Sequence, residues 1–328
     1  MTAPHTVSRR RSNLHAAFPN MDEAFRTPAI GRPRVAICLA THRRPDGLRN
    51  VLASLAAQLY REFLIVVVEH DNEPRSQAIC EMLAETHDLD IRYFLQDSGG
   101  LPHVRNRAIA AVPSDVDWVA FIDDDETADP RWLTSLVSQA DASEADVVLG
   151  PVLPVYHDSI EPWLRKGGFF ERERFASGEH VPYGRTGNAL VRRSWFDKMR
   201  FDERLVDSGG EDTELFARMI RAGATCVWSD EAEVSEFVPR KRGTPEALRL
   251  RQFRYGNTLA LVERLHGQSM TLRTAKGLYL LGTGALQYLA TWHRGREARL
   301  RAELRVARAL GGLSGVLGFV HRAYRSNV

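Results

Sequence analysis

The chain has 328 residues, the composition of an ordinary globular protein and a formal net charge of +2, so it is long enough to bury a substantial core. The charge is divided unevenly, because residues 240–328 carry 17 Lys and Arg against 4 Asp and Glu. That segment has a net charge of +13, which leaves −11 for residues 1–239, and we expect the two parts to face different partners.

Three other features exclude further classes of protein. Cys38, Cys80 and Cys226 are odd in number and lack metal-ligand spacing, so we interpret them as reduced core thiols of a cytosolic protein. Residues 1–32 contain no apolar segment of the length that a secretory signal needs, and we predict that they are disordered. The most apolar stretch, Gly277–Trp292, is shorter than the roughly 20 residues that span a bilayer, so no transmembrane helix is expected.

From Arg34 onward, apolar runs alternate with segments whose apolar residues recur at helical spacing. The runs predict four strands with helices between them: Val35–Ala40, Phe63–Val68, Ile91–Leu95 and Trp118–Ile122. This βαβαβαβ series predicts an α/β fold with a mostly parallel sheet and helices on both faces.

After these four strands, the pattern predicts a helix around 132–137 and a strand at Asp146–Val155. A long active-site loop is expected at Glu161–Arg185. The series then ends with a strand at Asn188–Val191, a helix at Glu211–Ala222 and a strand at Ala224–Trp228. From Thr244 onward the pattern indicates helices only. We therefore divide the chain into a disordered segment at 1–32, an α/β domain at 33–240 and a basic, amphipathic helical extension at 241–328.

A run of three carboxylates, Asp123, Asp124 and Asp125, directly follows the predicted strand at Trp118–Ile122. Carboxylates that repel one another lower stability unless cations or hydrogen-bond donors meet them. Hard divalent ions prefer oxygen ligands of this kind. The strand end is therefore a candidate site for a metal and a phosphate.

Polar residues also follow the first two strands, as Thr41-His42-Arg43-Arg44 and Asp71-Asn72. Ligands of open α/β sheets bind outside the carboxyl ends of the strands, so we expect these groups to converge with the acid run. Each group alone is equally compatible with the cap of a helix. Three groups at one edge favour a binding site.

A second acidic motif, Gly209-Gly210-Glu211-Asp212, opens a predicted helix. Acidic residues in a first turn complement the helix dipole, so the motif alone is also compatible with ordinary helix design. A carboxylate on a rigid helix start, preceded by two glycines, is well suited to act as a general base.

The order of these motifs resembles that of family 2 glycosyltransferases with the GT-A fold. The resemblance covers residues 34–240 and is carried by seven motifs: Thr41-His42-Arg43-Arg44-Pro45, Asp71-Asn72, Gly99-Gly100, Arg105-Asn106-Arg107-Ala108, Asp123-Asp124-Asp125, Thr186-Gly187-Asn188 and Gly209-Gly210-Glu211-Asp212. It implies an inverting, metal-assisted transfer of a hexosyl or related sugar from a nucleotide-diphosphate sugar to an acceptor hydroxyl.

The resemblance also implies roles for individual residues. Thr41, His42 and Asp71 would hold the nucleotide base, while Arg44, Arg105, Asp123 and Asp124 would complete the nucleotide-sugar site. Asp125, and after it Asp123, would bind Mn²⁺ or Mg²⁺. Asp212 would act as the catalytic base, and Asn188, Gly210 and Glu211 would line the acceptor side.

Two positions depart from the family pattern. His42 stands where relatives often have Tyr, and Ser235 and Phe237 occupy the segment where relatives often have a His that completes the metal shell. Water, Glu236 or the donor phosphates could fill the shell instead.

Two alternative functions remain open from the sequence: a sugar nucleotidyltransferase and a catalytically inactive nucleotide-sugar-binding protein. The expected donor is a UDP-, GDP- or dTDP-sugar, and the expected acceptor has a free hydroxyl and could be lipid-linked. The arginines of the extension fit either a solvated helix face or a helix lying on anionic lipid at the cytoplasmic side of a membrane. No nucleic-acid partner is expected, because no reading module or aromatic stacking platform is present.

Overall fold

The computed structural model describes residues 33–291 and 293–322, so the predicted disordered segment at 1–32 and Trp292 lie outside the described residues. The strands are β1 (Val35–Thr41), β2 (Phe63–His70), β3 (Ile91–Gln96), β4 (Trp118–Phe121), β5 (Glu126–Ala128), β6 (Val147–Leu149), β7 (Val152–Tyr156), β8 (Ala189–Arg192), β9 (Cys226–Trp228) and β10 (Val234–Val238). The helices are α1 (Pro45–Ala56), α2 (Gln77–His87), α3 (Leu101–Ala110), α4 (Trp132–Ser143), α5 (Pro162–Lys166), α6 (Glu211–Arg221), α7 (Pro245–Leu265), α8 (Met270–Thr291) and α9 (Arg296–Val316).

Seven of these strands form one sheet in the order β3-β2-β1-β4-β8-β6-β9. The pairs β3–β2, β2–β1, β1–β4 and β6–β9 are parallel, whereas β8 runs antiparallel to both of its neighbours. Helices cover the sheet, which confirms the predicted mostly parallel α/β architecture. The carboxyl ends of β1, β2 and β4 lie at one edge, as expected for parallel strands.

The central strands are continuous apolar runs because both of their faces are covered. Val35, Ile37 and Leu39 of β1 lie in one buried cluster with Leu48 and Leu52 of α1. Alternate residues of the same strand enter a second cluster on the opposite face of the sheet. The hydrophobic burial of two layers fixes the sheet and thereby the edge at which the polar residues meet.

A second sheet, in the order β5-β10-β7, was not predicted. The expected single strand at Asp146–Val155 was wrong: it is divided into β6 and β7, which belong to different sheets. The break falls at Gly150-Pro151, where a side chain on Gly150 would come within 2.4 Å of the Ala232 carbonyl oxygen and where Pro151 has no N–H for the ladder. Glu126 of β5 faces Glu236 of β10 in the antiparallel register.

The helices α7, α8 and α9 form the extension, with α9 packed between the other two. The backbones of α7 and α9 approach closely, since a side chain at Gly311 would come within 1.9 Å of the Phe253 carbonyl oxygen. Leu248 and Leu300 anchor the extension in a buried cluster with Phe169 and Phe170. Within 33–291 and 293–322, no helix combines the length and apolar character needed to cross a bilayer.

Candidate active site

The carboxylates of the acid run are held by arginines from three different parts of the chain. Asp124 is buried, where its two oxygens accept hydrogen bonds from Thr41 Oγ1 at 2.9 Å and Arg44 Nη1 at 2.8 Å. Asp125 Oδ2 accepts from Arg44 Nη1 at 3.1 Å and from Arg242 Nη2 at 2.7 Å. The predicted convergence of the first and fourth strand ends is therefore present in the fold.

Asp123 connects the acid run to α3 and to β5, beside the cleft that the strand ends form. Its Oδ1 accepts a hydrogen bond from Arg105 Nη2 at 3.2 Å, and its backbone N–H donates to Glu126 Oε2 at 2.9 Å. Loss of hydration raises the pKa of Asp123 to about 6, although the charge of Arg105 opposes the shift. Burial likewise raises the pKa of Glu126 well above its ordinary value.

The end of β2 carries a second carboxylate, Asp71, whose side chain is shielded from solvent. Arg43 Nε and Arg75 Nε donate to Asp71 Oδ2 at 3.1 Å and 3.0 Å, and the Asn72 N–H donates to Oδ1 at 2.8 Å. Burial opposes ionisation, but these hydrogen bonds outweigh it and lower the pKa of Asp71 to about 2. The end of β2 therefore carries a carboxylate, Asp71, that stays charged at neutral pH.

His42 is exposed beside this carboxylate, and its ring lies 5.2 Å from that of His70 between centroids. Its Nδ1 also contacts the His70 carbonyl oxygen. The neighbouring Thr41 is buried with its hydroxyl committed to Asp124. Of the residues predicted to hold the base, His42 is the one that presents a flat ring to solvent.

Arg105 and Glu211 form a buried pair between the acid run and the start of α6. Arg105 Nη1 donates to Glu211 Oε1, and the side chains of the two residues are only 8% and 4% exposed. Glu211 Oε2 is buried and finds no hydrogen-bond partner among the described residues. Burial raises the pKa of Glu211 to about 7, against the opposing charge of Arg105.

Asp212, the next residue, has a different environment. It is partly exposed, and its Oδ1 accepts hydrogen bonds only from its neighbour Thr213, from the backbone N–H at 2.6 Å and from Oγ1 at 3.2 Å. No ion pair to Asp212 occurs within the part of the chain that the structure describes. Gly210 permits this turn because its φ is +88° and because a side chain there would come within 2.1 Å of Thr258 Cγ2.

Asn188 does not line the cleft as predicted. The side chain is buried: its Oδ1 accepts from Trp132 Nε1 at 2.8 Å, and its Nδ2 donates to the carbonyl oxygens of Pro151 and Ala232. These bonds tie β8 to its surroundings, because a buried amide must satisfy its donors and acceptor. The neighbouring Gly187 is the residue that borders the acids, since a side chain there would come within 2.8 Å of Glu126 Oε1.

The carboxylates predicted to bind a divalent cation do not form a ready set of ligands. Both predicted ligands, Asp125 and Asp123, are already paired with arginines, and Glu236 is bonded by Arg172 Nη2 at 2.6 Å and by Arg242 Nη1 at 2.7 Å. Across 33–291 and 293–322, no group of three or more His, Cys, Asp or Glu is arranged to hold a metal. The residues as placed do not fit a preformed metal centre.

Sequence reasoning missed three residues at this site: Glu126, Arg172 and Arg242. Glu236 was expected only as one group that could complete a metal shell. Glu126 continues the acid run directly, so the run itself indicated it. Arg172 lies in the loop predicted without a readable pattern, and Arg242 lies at the start of the basic extension. No local signal shows that these two arginines meet Glu236, because the second sheet brings them together.

The fold and the two groups of acids define the class of protein. The chain aligns with the mannosyltransferase PcManGT from Pyrobaculum calidifontis, solved in complex with GDP-Man and Mn²⁺, with a TM-score of 0.59 and 16% identity over 93% of this chain and 96% of that one. This likeness confirms the predicted fold of the GT-A glycosyltransferases.

The family follows from the sequence matches. Residues 36–200 match the family model described as Glycosyl transferase family 2. The chain is 36% identical over 296 residues to the succinoglycan biosynthesis protein ExoM of Rhizobium meliloti (strain 1021), covering 87% of this chain and 93% of that protein. It is 26% identical over 189 residues to the glucosyl-dolichyl phosphate glucuronosyltransferase of Haloferax volcanii, covering 55% of each. The chain belongs to glycosyl transferase family 2 and is a glycosyltransferase.

Proposed function

We propose that the chain transfers a sugar with inversion from a nucleotide-diphosphate sugar to an acceptor hydroxyl, with Asp212 as the base. The observation that carries this proposal is the contrast around the cleft: Asp212 is partly exposed without a cationic partner in the described chain, whereas Asp123, Asp125 and Glu211 are all paired with arginines. An unpaired carboxylate beside a helix start is free to accept a proton.

The proposed step conserves atoms and charge. The acceptor hydroxyl gives its proton to an Asp212 oxygen while its own oxygen forms a bond to the anomeric carbon. The bond from that carbon to the diphosphate oxygen breaks on the opposite side, so the electron pair leaves with the nucleotide diphosphate. Attack from the face opposite the leaving group inverts the anomeric centre.

The donor would occupy the edge formed by the strand ends. His42 would supply a ring for the base, and Asp123, whose side chain is partly exposed, would accept a hydrogen bond from a ribose hydroxyl. Asp71 is shielded from solvent, so it would act by holding Arg43 beside the base. Three arginines would bring positive charge to the diphosphate: Arg44, Arg105 and Arg242. Each of them pairs with a carboxylate of the acid run, and its guanidinium can also donate hydrogen bonds to a phosphate oxygen. Glu211 and Gly210 would border the acceptor.

The predicted Mn²⁺ or Mg²⁺ would have to displace Arg44 or Arg242 from Asp125 Oδ2. The steps proposed here therefore use side chains alone.

The experiment that tests the proposal is an incubation of the full chain with a panel of UDP-, GDP- and dTDP-sugars and a mixture of hydroxyl acceptors. We expect release of a nucleotide diphosphate and a product whose anomeric configuration, read by NMR, is opposite to that of the donor. Release of pyrophosphate would indicate a nucleotidyltransferase, and binding without release would indicate a binding protein. A product of unchanged configuration would contradict the inverting step.

We further propose that the extension rests on anionic lipid at the cytoplasmic face of a membrane, where a lipid-linked acceptor would be presented. The support comes from α8, which exposes Leu272, Leu278, Tyr279, Leu286 and Leu289, each 57–72% exposed, in a segment of net positive charge. The Haloferax relative is named as a glucosyl-dolichyl phosphate glucuronosyltransferase, which supports such an acceptor. Cys38, Cys80 and Cys226 are free and buried, which suits a reducing compartment.

Sedimentation with vesicles tests this placement. We expect the chain to bind vesicles with anionic lipid at low salt, less at high salt, and to lose binding when Leu286 and Leu289 are both changed to Glu. A matched variant changes Met82 and Val155, two exposed apolar residues of the α/β domain, to Glu; it adds the same two negative charges away from α8 and should keep binding. Failure to bind at either salt concentration would overturn the proposal.

A further inference from the structure

A cavity of about 290 Å³ lies between the second sheet and the first half of α7. Four arginines line it: Arg172, Arg242, Arg251 and Arg254. Glu236 is the one carboxylate among its lining residues, and both oxygens of Glu236 are already bonded to Arg172 and Arg242. The cavity therefore holds an excess of positive charge.

Among the residues that the structure describes, no carboxylate pairs with the two arginines that α7 contributes to the cavity. Arg251 Nη2 donates to the Phe169 carbonyl oxygen at 2.8 Å and its guanidinium lies 5.2 Å from the Phe170 ring centroid, while its Nε is buried without a hydrogen-bond partner. Arg254 is half-buried and makes no hydrogen bond or ion pair to any described residue. A half-buried guanidinium without a partner is costly unless an anion binds it.

The position of the cavity connects it to both ends of the cleft. Arg242, on its wall, also bonds Asp125 of the acid run. Arg254 is one helical turn, roughly 6 Å, before Thr258 on the same face of α7. Thr258 packs against Gly210, and its Oγ1 donates to the Ser208 carbonyl oxygen at 3.4 Å, so this face of α7 leads directly to the start of α6 and Asp212.

We propose that this cavity binds a phosphate or diphosphate group carried by the acceptor. The inference rests on the proposed transfer, because it places the acceptor hydroxyl at Asp212 and its phosphate at Arg251 and Arg254. Guanidinium groups bind phosphate oxygens in pairs of parallel hydrogen bonds. The volume is at the lower end of ligand pockets, which suits a phosphate group and its neighbouring atoms rather than a whole nucleotide sugar.

The test is a calorimetric titration of the full chain with inorganic pyrophosphate, in the presence of whichever of UDP, GDP or dTDP binds, at saturation. We expect Arg254→Gln to weaken pyrophosphate binding at least tenfold and to change nucleotide diphosphate binding by less than twofold. Arg254→Lys keeps the charge but loses the paired geometry, so its affinity for pyrophosphate should lie between those of the unchanged chain and Arg254→Gln. Arg240→Gln, an exposed arginine outside the cavity, is the matched control and should bind as the unchanged chain does.

Further arms separate the two sources of such a phosphate. Tighter binding of a short-chain alkyl phosphate than of a sugar 1-phosphate, two probes with the same number of phosphates, supports a lipid-linked acceptor, and equal or weaker binding supports a free sugar phosphate. Pyrophosphate binding that is unaffected by Arg254→Gln would overturn the proposal, as would an equal loss of nucleotide diphosphate binding, which would assign the cavity to the donor. A failure of the proposed transfer is distinguishable, because the donor panel would then release no nucleotide diphosphate, while the pyrophosphate titration of the unchanged chain and of Arg254→Gln could still be compared.

Discussion

The two acidic ends of the cleft differ in how their charge is balanced. At the acid run, every carboxylate has an arginine partner, and Asp125 has two. At the start of α6, Glu211 is buried against Arg105, but the adjacent Asp212 has hydrogen bonds only within its own turn. Neutralised carboxylates are suited to holding a ligand in place, whereas an unpaired one is suited to accepting a proton.

The largest effect expected from this contrast is on turnover. Changing Asp212 to Asn should lower kcat by about 10²- to 10⁴-fold, the range typical of general bases, because the amide cannot accept the proton. Donor binding, measured by titration with the nucleotide diphosphate, should stay within about twofold since Asp212 contacts none of the acid run. Asp207→Asn, just before the same helix, is the control and should keep normal turnover. Normal turnover in Asp212→Asn would exclude this residue as the base.

The buried pair that separates the two ends should make the next largest contribution, to stability. Arg105→Gln removes the partner of Glu211 and should lower the free energy of unfolding by about 3 kcal/mol, since it leaves a buried carboxylate without its cation. Urea unfolding followed by circular dichroism measures this change.

The double variant Arg105→Gln with Glu211→Gln provides the control for that measurement. It should recover most of the loss, because no charge then remains buried at the pair. If the double variant is as unstable as Arg105→Gln alone, the cost comes from packing around Arg105 and not from the ion pair.

A smaller effect is expected on cation binding at the acid run. Arg242→Gln removes one of the two arginines on Asp125 Oδ2 and should raise the affinity for Mn²⁺ by about three- to tenfold, a modest change because the Arg242 side chain is 40% exposed and therefore screened. The free Mn²⁺ signal in electron paramagnetic resonance measures this affinity.

Arg240→Gln removes an equal charge two residues away and is the matched control. If both variants change the affinity equally, Arg242 acts only through net charge and does not compete with a cation for Asp125.

The sequence was sufficient to predict the main sheet because its strands are apolar runs covered on both faces, a pattern that depends on local residues alone. The positions of Asp123 to Asp125 and of Asp212 could be predicted for the same reason, since each directly follows or begins an element. Arg172 and Arg242 could not, because they reach Glu236 only through β10, a short strand whose pairing with β5 and β7 has no signal in the local pattern.

Asn188 illustrates the opposite limit. Its place in the motif Thr186-Gly187-Asn188 predicted a residue facing the acceptor, but a motif does not specify the direction in which a side chain points. At the beginning of β8, alternation along the strand and the bonds to Trp132, Pro151 and Ala232 direct the amide inward. Gly187, with no side chain, is left facing the acids.

The smallest expected effect distinguishes the start of α6 from Asp71 at the end of β2, because the stability contributions of Glu211 and Asp71 change with pH in opposite directions. The pKa of Glu211 is raised from 4.5 to about 7, so its contribution to stability is fully present below about pH 4.5 and is lost as the pH rises through 7. The pKa of Asp71 is lowered from 3.8 to about 2, so its contribution is present above about pH 3.8 and is lost as the pH falls through 2. The measurement is the urea unfolding midpoint from pH 2.5 to 8. Between pH 4.5 and 7, the midpoint of Glu211→Gln should depend less on pH than that of the unchanged chain. Below pH 3.8, the midpoint of Asp71→Asn should depend less on pH than that of the unchanged chain.

Glu85→Gln, an exposed glutamate of α2, serves as the control and should leave both slopes intact. A slope between pH 4.5 and 7 that persists in Glu211→Gln would instead come from the acid run and its neighbour, where loss of hydration raises the pKa of Asp123 to about 6 and that of Glu126 well above its ordinary value. The variant Asp123→Asn should then reduce that slope, and the acidic end that senses pH would be the acid run and not the start of α6.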